Sequence, residues 1–365
     1  MKKIRVLVVD DSSLCRDVLR AILEEEGDIE VVGEANDGEE ARAAVMRLRP
    51  SVITLDIEMP GTDGLTAIGR IMAENPTPIL VVTGRPAEKR SHTLFEAVRR
   101  GALDLFPKPS AGRPEEAKAL RVLVRRMASV PVVRHLKTQS MRSPPVSVAL
   151  PRIIAAPDDA PQVTPPSLVA TGGRPARVIG IGASAGGPAA VAAVLGALPK
   201  GLSASVLVVQ HMLTGFTRPF CDFLRLHTKL DVHLVDGVLR MSPGTVYVAP
   251  DDRHLVATQG DELAPFDARP SQGHRPSVDV LFDSLAAVHG SAAAGVILSG
   301  MGEDGARGLL AMSKAGALTL AQDKEGCAVY GMPRAAVARG AVRKELPLGE
   351  IADVLVRASR GEGLR

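Results

Sequence analysis

The chain has 365 residues, 45% of them hydrophobic and 23% charged, with a formal net charge of +3. That length suffices for two or three ordinary domains with cores of their own, and so small a net charge does not ask for a nucleic-acid partner. The cysteines, Cys15, Cys221 and Cys327, lie far apart with no C-x-x-C spacing, which excludes a disulfide framework and a zinc site and predicts reduced thiols in a cytoplasm. The opening stretch MKKIRVLVVDDSS has too short an apolar run for a secretory signal. No apolar run approaches the roughly 20 residues that span a bilayer, so no membrane insertion is expected.

Residues 1–125 alternate short apolar runs with amphipathic segments. The runs fall at 5–9, 30–33, 52–55, 79–82 and 103–106. Between them Leu14, Val18, Ala21 and Ile22 recur at helical spacing, and so do Leu94 and Val98. Five strands alternating with helices predict a flavodoxin-like α/β unit, a parallel sheet covered on both faces. Such sheets place their ligands at the carboxyl ends of strands, where Asp56 and Thr83 stand.

From 126 to 175 prolines crowd in, at 144–145 and again at 165–166, and apolar periodicity fades. This predicts a semi-extended, mildly basic spacer. A second alternating pattern occupies 176–365, with strand-like runs at 178–181, 206–209, 246–248, 295–298 and 318–320 and helices at 278–288 and 306–314. It predicts a second doubly wound, mostly parallel α/β domain.

In the first unit, Asp10 and Asp11 end the first strand and Asp56 ends the third. Carboxylates converging there repel one another unless a cation neutralises them, and Mg²⁺ suits such ligands. Thr83 and Lys108 are placed to meet a phosphate oxygen. Any one of these alone reads best as a solvated turn residue. Taken together they resemble the receiver domain of two-component response regulators over about 120 residues. The resemblance implies that Asp56 accepts phosphate from a histidine kinase, with Asp10 and Asp11 at the metal and Thr83 and Lys108 sensing the phosphoryl group. Leu105 stands where receivers usually carry a switching aromatic.

In the second unit, GIGASAGGP at 180–188 follows a strand and opens into an alanine-rich helix. Small residues turn the chain tightly and set Ser184 at a helix N-terminus, which favours developing negative charge. A serine nucleophile needs a base, and His211 ends the next strand. Asp304, in SGMGEDG, arrives at the same sheet edge and is placed to orient the imidazole. The stretch also fits G-x-G-x-x-A, but a dinucleotide site wants an acidic residue where Gln210 and His211 stand. It fits G-x-S-x-G too, yet α/β-hydrolases run serine, acid, histidine. His227, His233 and His289 read as fillers, while His254 and His274 lie in polar loops bordering the site.

GASAGG at 182–187, QHM at 210–212, VAPDDRHL at 248–255, GHRPSVDVLF at 273–282, SGMGEDG at 299–305 and YGMPRAA at 330–336 occur in that order. They resemble the catalytic domain of the chemotaxis protein-glutamate methylesterases, the CheB family. The resemblance implies a Ser184, His211, Asp304 triad, no cofactor for the hydrolase, and an oxyanion site using the Met301 backbone N–H. It also implies methyl-accepting chemotaxis receptors as substrates, with glutamine deamidation as a second activity. Ala185 departs from the threonine common at that position. A phospho-switched, non-catalytic receptor-binding regulator is the alternative, and the intact triad argues against it. A receiver-controlled DNA-binding regulator lacks a helix-turn-helix. An esterase for small molecules stays open.

Overall fold

A computed structural model describes residues 3–59, 63–84, 91–109, 113–129 and 175–362, the side chains of Ser91 and His92 excepted. Most of the expected spacer, 130–174, lies outside the described residues. In the first unit the strands are β1 (Ile4–Val9), β2 (Ile29–Ala35), β3 (Val52–Leu55), β4 (Ile79–Thr83) and β5 (Asp104–Pro107). They form one parallel sheet in the order β2-β1-β3-β4-β5. Helices α1 (Ser13–Glu24), α2 (Gly38–Leu48), α3 (Gly64–Glu74), α4 (Ser91–Arg99) and α5 (Pro114–Ala128) connect and cover it. The central strands are buried on both faces, which is why they read as apolar runs rather than alternations. Val9 pairs with Leu55, so Asp10 and Asp56 leave the sheet side by side. Helix α5 carries the ordered unit through Ala128, past the expected boundary at 125.

The second unit comprises β6 (Val178–Ala183), β7 (Ser205–Gln210), β8 (Asp231–Leu234), β9 (Leu239–Arg240), β10 (Thr245–Val248), β11 (His254–Thr258), β12 (Glu262–Phe266), β13 (Ala293–Ile297), β14 (Leu318–Gln322) and β15 (Lys344–Leu346). Seven of these form a parallel sheet, β15-β14-β13-β6-β7-β10-β8, and β11-β12-β9 make a small antiparallel one. Its helices are α6 (Gly187–Ala197), α7 (Thr217–His227), α8 (Val278–Val288), α9 (Ala306–Lys314), α10 (Met332–Ala338) and α11 (Leu348–Ser359). Central β6 lies between β13 and β7, with Gly182 opposite Ile297 and Ala183 opposite Gln210. The segments after all three strands therefore emerge at one edge, where open α/β sheets bind ligands.

Two glycines set that edge. A Cβ at Gly182 would lie 2.2 Å from Val278 Cγ1, so only glycine lets the first turn of α8 rest on β6. Gly186 has φ +71, and a Cβ there would meet Ala328 at 2.5 Å.

The units pack through α4. Phe95 stacks on Phe223 at 5.1 Å between ring centroids and leans on Phe220 at 5.5 Å, all three fully buried. Gly186 N–H, beside Ser184, donates to Leu103 O of the first unit at 2.8 Å. Leu105, at the position of the usual aromatic, is buried and shares a small cavity with Phe95, Asp104, Gln210, His211 and Phe216. Burial pushes the Asp104 carboxyl up to about 7, with only Leu105 N–H donating to it among the described residues.

Candidate active site

At the first sheet's edge, Asp10, Asp11 and Asp56 each bring an oxygen within 4.8 Å of the others. This spacing and all-oxygen chemistry fit Mg²⁺. Lys108 Nζ lies 2.7 Å from Asp10 and 2.6 Å from Asp56. Burial works against its charge, but the two carboxylates outweigh it and hold its pKa above the usual lysine range. Ser12 N–H donates to Asp10 and Glu58 N–H donates to Asp56. Thr83 is buried at the end of β4, and its carbonyl accepts from Lys108 N–H at 2.6 Å. All five residues expected here are thus in one cluster.

At the second edge, Ser184 leaves β6 with its N–H donating to Ser299 O at 3.0 Å and its carbonyl accepting from Gln210 Nε2 at 2.7 Å. His211 follows β7 one residue past the Ala183–Gln210 pair, as Ser184 follows β6, and its N–H donates to Ala183 O at 2.9 Å. Among the described residues neither Ser184 Oγ nor the buried Nδ1 of His211 has a hydrogen-bond partner. Nε2 of His211 meets Asp304 Oδ2 at 2.8 Å. An ionised carboxylate can only accept, so Nε2 carries a proton, and in the neutral ring that leaves the lone pair on Nδ1.

Asp304 is held at the N-terminus of α8. Its carboxylate accepts from Ser277 Oγ at 2.7 Å, Val278 N at 2.7 Å and Asp279 N at 3.1 Å, in addition to His211. Burial favours its neutral form, but the hydrogen bond and charge of His211, then the Ser277 and Val278 donors, hold it at about 2. Asp304 therefore stays ionised at neutral pH.

Residues to which motif reading gave no role complete the support. Ser277 N–H donates to the fully buried His254, whose Nε2–H donates to Arg269 O. His254 therefore stands behind the carboxylate rather than in the site. The ring of His274 lies flat on that of His211, 4.0 Å between centroids and 2° between planes. Ser299 Oγ donates to Ala185 O and accepts from Val329 N–H, which ties the loop after β13 to the nucleophile turn. Met301 is half-buried beside that turn, and its backbone N–H has no acceptor among the described residues. A Cβ on the preceding Gly300 would lie 3.0 Å from Ser184 Cβ. The Met301 N–H is thus a free donor near the nucleophile, as an oxyanion site requires.

The description CheB methylesterase matches residues 179–355, and that of a response regulator receiver domain matches residues 6–119. A protein-glutamate methylesterase/protein-glutamine glutaminase of Anaeromyxobacter dehalogenans is 42% identical over 361 residues, 98% of each chain. The chain belongs to the receiver-bearing CheB methylesterase family. A further member, from Nitrosospira multiformis, is 40% identical over 98% of each chain. The crystal structure of the Thermotoga maritima CheB methylesterase catalytic domain is 34% identical and covers 50% of this chain and 97% of that one, with a TM-score of 0.48. No described helix of this CheB-family chain is long and apolar enough to cross a membrane.

His274 gives this site a pH signature. Burial, then the neighbouring charge of His211, depress it to about 4 from an ordinary 6.5. Between those values the unfolded chain binds the proton and the folded chain does not. Stability is therefore intact above about 6.5 and falls as pH drops toward 4, by roughly 2–3 kcal/mol from this group. His274→Phe keeps a flat ring without titration. Urea unfolding at pH 7 and pH 4.5 should show a smaller acid loss in the variant, and equal losses would refute the assignment.

Proposed function

We infer that the protein is a phosphorylation-activated protein-glutamate methylesterase with protein-glutamine glutaminase activity, acting on chemotaxis receptors and controlled by a histidine kinase. The observation that carries this is the relay from Asp304 to His211 at the edge where Ser184 turns into α6, with His211 Nδ1 left without a partner among the described residues.

In this reading Ser184 Oγ attacks the γ-carbonyl of a methylated glutamate while His211 Nδ1 takes its proton. Asp304 stabilises the imidazolium, and the Met301 N–H receives the oxyanion. The imidazolium returns the proton to the departing methoxide, and methanol leaves. Water, deprotonated at Nδ1, then attacks the acyl-serine and restores Ser184 and a free glutamate. A glutamine side chain follows the same course with ammonia leaving. Ala185 contributes a carbonyl to Ser299 and an apolar surface, so no hydroxyl assists beside the nucleophile.

Asp10, Asp11 and Asp56 would hold Mg²⁺, which when bound neutralises charge on an incoming phosphoryl group. Lys108 would move from its ion pair with Asp56 to a phosphate oxygen, and Thr83 would donate to another. The contacts of Phe95 and of Leu103 O support a closed arrangement in which the receiver covers the nucleophile turn and occupies the Gly186 N–H. Phosphorylation would bias this interface open, a population shift. The domain limits proposed are 1–128 for the receiver and 176–365 for the hydrolase.

The test is methanol release from methylated receptor membranes with a small acyl-phosphate donor. The expected result is slow release that rises several-fold with donor, and no rise for Asp56→Asn. Wild type that is phosphorylated and folded yet releases no methanol would favour the non-catalytic alternative.

A further inference from the structure

A cleft of about 780 Å³ opens beside the nucleophile turn, between the loop after β13, helix α10 and Ser129 at the end of α5. Its inner wall carries Met301, Gly302 and Tyr330, and Gly300, paired with Tyr330, lies against Ser184. A side chain acylating Ser184 with its carbonyl oxygen on Met301 N–H would therefore lead back into this cleft. The outer wall is positive. Lys324, Arg334, Arg339 and Glu303 are its charged residues, and Arg339 is spent on Glu303 at 2.6 Å. Lys324 and Arg334 are exposed, and neither has an ion-pair partner among the described residues.

Nearby carboxylates make their contacts elsewhere, and among the described residues neither Asp323 nor Glu345 forms an ion pair with Lys324 or Arg334. Asp323 caps its own turn by accepting from Gly326 N–H, and Glu345 accepts from the Tyr330 hydroxyl. Two unpaired cations facing a cleft beside an acyl-transfer site present a field that suits negative charge on whatever enters. The reaction read above itself makes carboxylates, one for each ester cleaved.

We propose that Lys324 and Arg334 are specificity-determining residues that seat a free carboxylate of the substrate chain next to the ester being cleaved. The occupant of the cleft is then an acidic segment of a protein substrate. A segment with neighbouring glutamates already demethylated binds better than one without, so hydrolysis at one position favours hydrolysis at the next. This rests on the methylesterase reading and names the substrate chemistry that the site selects.

The experiment uses the full-length, phosphorylated protein and two synthetic peptides. Each carries one glutamate γ-methyl ester, flanked by glutamates in one and by alanines in the other. Wild type should show a KM on the order of 10-fold lower for the glutamate-flanked peptide, with similar kcat, and the gap should shrink as salt rises. The double variant Lys324→Ala, Arg334→Ala should bring the two KM values together and leave kcat on the alanine-flanked peptide unchanged. Both side chains are exposed, so the variant keeps its core, and matching thermal melts verify this. Equal KM values in wild type, or a preference that survives in the variant, would overturn the proposal. No methanol from either peptide would instead sink the methylesterase reading.

Discussion

Ser184→Ala should lower kcat for methanol release by a factor on the order of 10⁴ or more and leave the fold where it is. The rate loss follows because Ser184 is the hydroxyl residue that leaves β6 directly after Ala183, whose partner Gln210 directly precedes His211. Residual turnover should reflect only the oxyanion donor and substrate binding. The stability expectation has a separate basis. Ser184 Oγ has no hydrogen-bond partner among the described residues, whereas the backbone of Ser184 makes the contacts that matter, to Ser299 O and from Gln210 Nε2. Removing the hydroxyl should change unfolding free energy by no more than about 0.5 kcal/mol. Methanol release and a urea titration of one preparation check both halves. A variant that is folded and still active would move the nucleophile elsewhere. A variant that is inactive and unfolded would make the serine structural.

The edges of both sheets were legible because parallel strands announce themselves as apolar runs and their ligand groups come just after. Asp10, Asp56, Ser184 and His211 each follow such a run, and register alone brings them together. What the runs could not carry is the second layer of support. Ser277, His254 and His274 reach the triad from a helix start, the first residue of β11 and a loop, all distant in sequence from Ser184 and His211. A partial signal existed, since a serine directly before an apolar helical stretch marks a helix N-terminus, where a carboxylate is welcome. The small antiparallel sheet was also readable in principle. Gly260 and Asp261 both take positive φ in the three-residue link between β11 and β12, and a short glycine-containing link between two apolar runs marks a hairpin. Leu105 is a different matter. Its departure from the usual aromatic was visible, but its burial between two units depends on a contact surface that no local pattern encodes.

The polar constellation around Asp304 makes it the position where activity and stability should fall together. In Asp304→Asn the amide can no longer accept from every donor that now converges on the carboxylate, so its NH₂ must face His211, Ser277 or the α8 N-terminus. If it faces His211, the imidazole shifts its proton to Nδ1, the nitrogen that has to receive the serine proton. The kcat loss is then on the order of 10³–10⁴-fold with substrate binding preserved. If it faces the helix, two N–H groups meet head-on in a buried site, at about 2–4 kcal/mol. The acid dependence separates this from generic damage. The wild-type carboxyl is held at about 2, below an ordinary 3.8, so its stabilisation is complete above about 4 and is lost as pH falls toward 2. Asparagine does not titrate, so the wild-type advantage in a urea titration should shrink steadily between pH 4 and pH 2. An advantage of constant size across that window would mean that Asp304 acts through packing alone, and the charge assigned to it in catalysis would have to be given up.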